Sequence, residues 1–185
     1  MQKDSFLNII LVGIGLCFVC GAVISTVAVS LKDQQEQNVI FDQQSKIIDA
    51  ARLLEVYPSF QEALASIEEV VINLNDGQPS DFPPEQYDLD YILRDSSQHT
   101  VLNGSEDIAM ISVRENLSKV YIEYRNNELK TLILPVRGYG LWGTLYGYLA
   151  LDSDLNTIVG LEFYKHKETP GLGAEVDNPN WKKLW

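Results

Sequence analysis

From Phe6 to Leu31 the chain reads FLNIILVGIGLCFVCGAVISTVAVSL, a run with no charged residue. At a rise of about 1.5 Å per residue, roughly 20 residues cross the ~30 Å hydrocarbon core of a bilayer, so the run predicts one membrane-spanning helix with some tilt. A secretory signal carries an apolar stretch of only about 7–15 residues, which argues against a cleaved leader. Over residues 33–56 the pattern changes. Apolar positions recur at Val39, Ile40, Ile47, Ile48, Ala51 and Leu54 among charged and amide residues, which predicts a solvated amphipathic helix. Pro58 opens a further segment in which Phe60, Leu64, Ile67, Val70, Val71 and Leu74 keep helical spacing. It predicts a second helix that stops at Asn75-Asp76-Gly77. Residues 75–86 (NDGQPSDFPPEQ) are rich in turn formers and read as loop.

After about residue 88 the period shortens to that of strands. Val120, Ile122 and Tyr124 alternate with Tyr121 and Glu123. Asn126-Asn127 offers a hairpin turn, and Leu129 to Val136 forms the return strand, ended by Pro135 and Gly138. Leu145 to Leu151 is apolar and aromatic, Ser153-Asp154 marks a turn, and Thr157 to Tyr164 is another strand. The whole predicts an α+β fold: one N-terminal transmembrane helix, then helices packed on a twisted, largely antiparallel sheet. Residues 1–5 are expected as a short cytoplasmic N-terminus and 6–31 as the transmembrane helix. Residues 32–87 are expected as a helical segment and 88–185 as the sheet region. The closing residues, NPNWKKLW, place two tryptophans at the end of the chain, from which the fold is expected to continue beyond Trp185.

Charge narrows the function. With 14 Lys and Arg against 26 Asp and Glu, the 185-residue chain has a formal net charge of −12. Nucleic-acid binding leans on basic patches, and so does docking to anionic lipid, so attachment must come from the apolar run. Lys3 and Lys32 flank that run almost symmetrically, which leaves its orientation nearly unspecified. Gly13, Gly15, Gly21, Ala22, Ser25 and Thr26 are either a close-packing face for another membrane helix or neutral toward lipid. Both cysteines, Cys17 and Cys20, lie inside the run, which leaves the rest of the chain without a disulfide framework or cysteine-bound metal. With only His99 and His166 a multi-histidine metal site is excluded, and no metal site is expected. No nucleophile elbow, P-loop or dinucleotide fingerprint occurs, and no catalytic residue is assigned.

Two segments carry candidate chemistry. Arg137-Gly138-Tyr139-Gly140-Leu141-Trp142-Gly143 is either a glycine-rich strand corner with Trp142 in the core or a surface where backbone and indole meet a flat ligand. His166-Lys167-Glu168-Thr169-Pro170-Gly171-Leu172-Gly173 places Pro then Gly at the centre of a type II turn. That loop is either a plain connection or a nest of N–H groups facing an electron-rich ligand, with Glu168 and Thr169 beside it.

Together, the H-K-E-T-P-G-L-G and R-G-Y-G-L-W-G strings and the N-terminal anchor resemble the NqrC family, the C subunits of the sodium-translocating NADH:quinone oxidoreductases. The likeness spans essentially the whole chain. The G subunit of the related Rnf electron-transport complex shares the E-T-P-G-type loop and is the alternative. A cofactor-free, membrane-anchored binding or scaffold domain is the second. The resemblance implies an FMN-binding domain on the extracytoplasmic side of a bacterial inner membrane. It implies an electron relay in a complex that couples NADH oxidation by quinone to sodium export. It implies as partners membrane lipid and the A, B, D, E and F subunits of that complex, with no nucleic acid. Carried onto matching positions, Trp142, Glu168, Thr169, Gly171, Leu172 and Gly173 would bind the FMN. In the family the flavin is a phosphoester of a threonine in a Ser-Gly-Ala-Thr-like motif. Here Gly173-Ala174 is followed by Glu175, and none of Thr26, Thr100, Thr131, Thr144, Thr157 and Thr169 follows Gly-Ala. The acceptor is therefore expected in sequence beyond these 185 residues.

Overall fold

The computed structural model describes residues 6–183, and the chain divides into two units, residues 1–42 and 43–185. The expected N-terminal segment 1–5 lies outside the described residues. Helix α1 runs from Phe6 to Ala50. Over residues 6–31 consecutive positions such as Ile9, Ile10, Leu11 and Val12 are all exposed, so the apolar surface of this part of the helix goes all the way round. Such a helix belongs in a non-aqueous solvent, and it is long and apolar enough to cross a membrane. Two of its hydroxyls bond within the helix: Thr26 Oγ1 donates to the Ala22 carbonyl at 2.8 Å and Ser30 Oγ to the Val27 carbonyl at 2.9 Å.

The expected helix over 33–56 is a continuation of α1 that stops six residues early. Arg52 takes a left-handed conformation (φ 52°, ψ 34°) and leads into a 3₁₀ turn, Leu53–Glu55. This resets the phase, so Leu53 is buried and Leu54 exposed, the reverse of the helical expectation.

The second unit is built on a five-stranded antiparallel sheet in the order β1-β4-β5-β6-β7. Its strands are β1 (Ile67–Asn73), β4 (Leu117–Arg125), β5 (Glu128–Tyr139), β6 (Thr144–Asp152) and β7 (Ile158–Lys165). Strands β2 (His99–Val101) and β3 (Val113–Glu115) form a separate two-stranded ribbon in the crossover from β1 to β4. Helices α2 (Phe60–Ala65), α3 (Leu89–Arg94) and α4 (Pro179–Lys182) are short.

The second predicted helix is a correction. Only Phe60–Ala65 is helical, and Ile67–Asn73 is a strand paired with β4 from Ile67↔Glu123 to Asn73↔Leu117. Ser59 caps α2 by accepting from Glu62 N–H at 3.3 Å and donating to Glu62 Oε1 at 3.0 Å, a cap that acts only locally. Beyond it four β-branched residues, Ile67, Val70, Val71 and Ile72, meet a partner strand, and tertiary pairing overrides an ambiguous spacing.

The return strand also runs further than expected, through Pro135 and Gly138 to Tyr139. Pairing between β4 and β5 ends at Tyr121↔Ile133, while pairing with β6 continues through Pro135↔Tyr148 to Tyr139↔Thr144. Pro135 therefore sits where β5 has lost its β4 neighbour, a place that tolerates the missing N–H. Asn126 and Asn127 both have positive φ (56° and 62°), which matches the twist of the β4–β5 hairpin.

The core lies where the end of α1 meets one face of the sheet: Ile47, Ile48, Ala50, Ala51 and Leu53 against Tyr121, Ile133, Tyr148 and Ala150. Gly160 in β7 touches Ala50 so closely that a Cβ there would lie 2.5 Å from the Ala50 carbonyl oxygen. Glu123 is fully buried. It accepts from Tyr57 Oη at 2.8 Å, Thr131 Oγ1 at 3.0 Å and the Arg125 guanidinium at 2.8 Å. Burial without these partners would be prohibitive.

Candidate functional site

Two connections meet at one end of the strands of the sheet. The first is the β5–β6 turn, residues 140–143, in which Gly140 N–H donates to the Gly143 carbonyl at 2.8 Å. The second follows β7 and runs over residues 166–177, ending in a 3₁₀ turn, Gly173–Asp177. Pairing of β6 with β7 through Tyr146↔Lys165 brings the two connections side by side.

Glu168 joins them. Its side chain is buried (8% exposed), and Oε1 accepts from the backbone N–H of Trp142 at 3.1 Å. Two glycines shape its seat. A Cβ on Gly140 would collide with Glu168 Oε1, and one on Gly173 with Oε2, with Glu168 Cβ 3.0 Å and Cδ 3.2 Å away. Neither glycine has a positive φ, so both are needed for space rather than for backbone conformation. Gly143 makes a similar close approach, to Lys167 Cδ at 2.9 Å.

The loop after β7 has the turn its sequence predicts. Leu172 N–H donates to the Thr169 carbonyl at 3.1 Å and Gly171 has φ +76°, as type II geometry requires at that position. Ala174 N–H reaches the same Thr169 carbonyl at 3.2 Å, so one acceptor draws the loop into a tight arch. Thr169, Pro170, Gly171 and Leu172 are exposed at its crest.

Of the six residues named from the sequence, the structure brings Trp142, Glu168 and Gly173 into one contact network and sets Thr169, Gly171 and Leu172 on the adjoining arch. Trp142 is 63% exposed and Leu172 72%, which overturns the alternative of Trp142 in a strand-corner core. The turn holding Trp142 projects past the last paired residues of β5 and β6, which leaves its indole open to solvent. Sequence reasoning placed Gly140 and His166 within the two candidate segments without a role of their own, and passed over Asp177. His166 Nδ1 accepts from Glu168 N–H at 3.2 Å, and His166 Nε2 lies 2.7 Å from Asp177 Oδ2. The signal available was the position of His166 at the start of a loop that returns to Asp177.

The exposed indole and leucine offer apolar surface to a flat aromatic ring, and the arch presents backbone beside them. These residues fit the ring of a flavin. None of the six threonines of the chain follows Gly-Ala.

The sequence profile of the FMN-binding domain family matches residues 140–184, which begins at the first of these two connections and takes in the second. The C subunit of the Na(+)-translocating NADH-quinone reductase of Pseudomonas aeruginosa is 44% identical, over 100% of this chain and 72% of its own length. The same protein from Vibrio vulnificus is 37% identical over 98% of this chain and 71% of its own length. Among solved structures, Shewanella oneidensis NqrC superposes with a TM-score of 0.68 at 32% identity, covering 77% of this chain and 66% of that one. The equivalent protein from Parabacteroides distasonis superposes with a TM-score of 0.58 at 27% identity, covering 83% and 67%. The chain thus spans about seven tenths of the length of the curated relatives and 66% of the Shewanella chain.

Proposed function

The chain belongs to the NqrC family of the sodium-translocating NADH-quinone reductases, and from that premise we propose that it is the FMN-carrying, electron-relaying subunit of such a reductase. Carrying the reading is one coincidence: the FMN-binding match begins at Gly140, the first residue of the turn that Glu168 ties to the 166–177 loop. The relatives described above are C subunits of that reductase, which favours this reading over the G subunit of the Rnf complex.

The protein is a membrane-anchored member of a multisubunit reductase, held by α1. In the proposal the folded unit lies on the periplasmic side of a bacterial inner membrane, with the A, B, D, E and F subunits as partners. Trp142, Glu168, Thr169, Gly171, Leu172 and Gly173 would line the isoalloxazine and its tail. Glu168 would hold Trp142 in register with the loop. When bound, the flavin supplies the one-electron chemistry, and the protein supplies position and electrostatics. In the family reading the flavin is attached through its phosphate to a threonine that is not among the six in this chain.

Intact-mass and visible-absorbance measurements on the protein isolated from its native membrane test the reading. Flavin absorbance and a mass increment of one FMN less water over the mass of the polypeptide are expected. Trp142→Ala and Glu168→Ala should each lower the flavin content. A colourless protein without that increment would instead support the cofactor-free scaffold.

A further inference from the structure

The geometry points to His166 and Asp177 as a positioning pair that closes the 166–177 loop at its base and thereby sets the arch and Glu168. This inference rests on the flavin reading only for what the loop serves. The closure itself stands on hydrogen-bond geometry. His166 follows the last residue of β7, and its ring faces both ends of the loop. Nδ1 is 3.2 Å from the amide nitrogen of Glu168, and Nε2 is 2.7 Å from Asp177 Oδ2, eleven residues on.

The tautomer follows. A backbone N–H can only donate, so Nδ1 is the bare nitrogen and Nε2 carries the proton it gives to Asp177. An imidazolium would lose the acceptor for Glu168 N–H, so both bonds hold together only in the neutral Nε2–H form. The His166 side chain is 16% exposed, which shields this bridge from competing water, while Asp177 remains 48% exposed. Within the bridge the Thr169 carbonyl gathers the Leu172 and Ala174 amides. A short loop whose ends are pinned and whose crest is internally bonded has few conformations to sample. His166 acts on the ligand-facing residues through Glu168. It bonds the amide of the residue whose carboxylate holds Trp142.

The test uses the full chain in detergent micelles, with whatever flavin it carries, and reads amide hydrogen exchange together with ¹⁵N spectra of labelled histidine. Losing the two bonds in His166→Ala should speed exchange at Glu168, Leu172 and Ala174 about tenfold, as the free energy of one or two hydrogen bonds implies, and leave β6 and β7 unchanged. His166→Asn restores an acceptor near Nδ1 and should recover protection at Glu168. Asp177→Ala should free Leu172 and Ala174 while Glu168 keeps part of its protection. The histidine signal absent from His166→Ala should show an unprotonated Nδ1 and a protonated Nε2. Unchanged loop exchange in His166→Ala, or a protonated Nδ1, overturns the proposal. Absence of flavin from the protein isolated from its native membrane, with the predicted exchange still seen, removes the flavin reading and leaves the closure intact. A flavin-loaded chain with unaltered exchange does the opposite.

Discussion

Gly173→Ala isolates the packing that builds the site. A Cβ at this position meets three atoms of one side chain: Glu168 Cβ at 3.0 Å, Cδ at 3.2 Å and Oε2 closer still. Because Gly173 does not have a positive φ, alanine can adopt its backbone, and the cost comes from the collision alone. Glu168 cannot simply swing away, since it is buried and its Oε1 accepts from Trp142 N–H at 3.1 Å. Overpacking of this kind costs about 1–3 kcal/mol. Glu168→Ala costs a similar amount, about 1.5–3 kcal/mol, through loss of a hydrogen bond to a charged group. The two changes share one cause, because truncating Glu168 removes both the Cδ and the carboxylate that the new methyl of Gly173→Ala would strike. The double variant should therefore be more stable than the sum of the single variants predicts, by at least about 1 kcal/mol. Urea unfolding of the full chain in micelles, followed by tryptophan fluorescence, measures all four corners of the cycle. Additivity within about 0.5 kcal/mol would refute the reasoning, because it would mean that Gly173 and Glu168 do not press on each other.

Other residues give independent checks. Gly160→Ala places a Cβ 2.5 Å from the Ala50 carbonyl oxygen and 3.4 Å from its carbonyl carbon, and no rotamer relieves a backbone contact. A loss of about 3 kcal/mol is expected, and an unchanged urea midpoint would contradict the packing of α1 on β7. Arg137→Leu strands Glu115, which now pairs with it at 2.7 Å with both side chains almost buried. It should cost about 3–5 kcal/mol in the same assay, whereas the Arg137→Leu, Glu115→Leu double variant should recover much of that. Partial desolvation of its carboxyl, then the neighbouring Glu162 carboxylate, raises the Asp49 pKa above its ordinary 3.8, although the residue as a whole is exposed. The folded state thus holds this proton more tightly than the unfolded one. The stabilisation is complete below about pH 3.8 and is lost as pH rises through the raised value. Asp49→Asn should remove that decline from the stability–pH profile; a profile with the same slope would exclude Asp49 as its source.

How much of this was legible in the sequence differs from element to element. The anchor was, because 26 residues without a charge, Phe6 to Leu31, have no aqueous solution to their hydration. So were β6, β7 and the Asn126-Asn127 hairpin, where alternation and turn chemistry agree with the final pairing. The turn at Pro170-Gly171 was written into two residues, and Gly171 adopts the φ that only glycine takes without strain. Trp142, Glu168 and Gly173 were recognisable through family resemblance, though nothing in their spacing says they touch.

Tertiary structure alone decided the rest. Ile67–Asn73 carries a spacing that suits helix or strand, and the unpaired edge of β4 settles it, because a strand there satisfies both backbones at once. Pro135 looks like a strand end until β4 is seen to fall short of it, leaving its missing N–H without consequence. The role of Gly140 appears only when a carboxylate 28 residues later fills the space a side chain would need. His166 and Asp177 likewise become partners only through the path of the loop between them. Local sequence determines which conformations each segment can adopt. Which of them persists, and which distant side chains meet, depends on partners that burial and backbone pairing bring together in the folded chain.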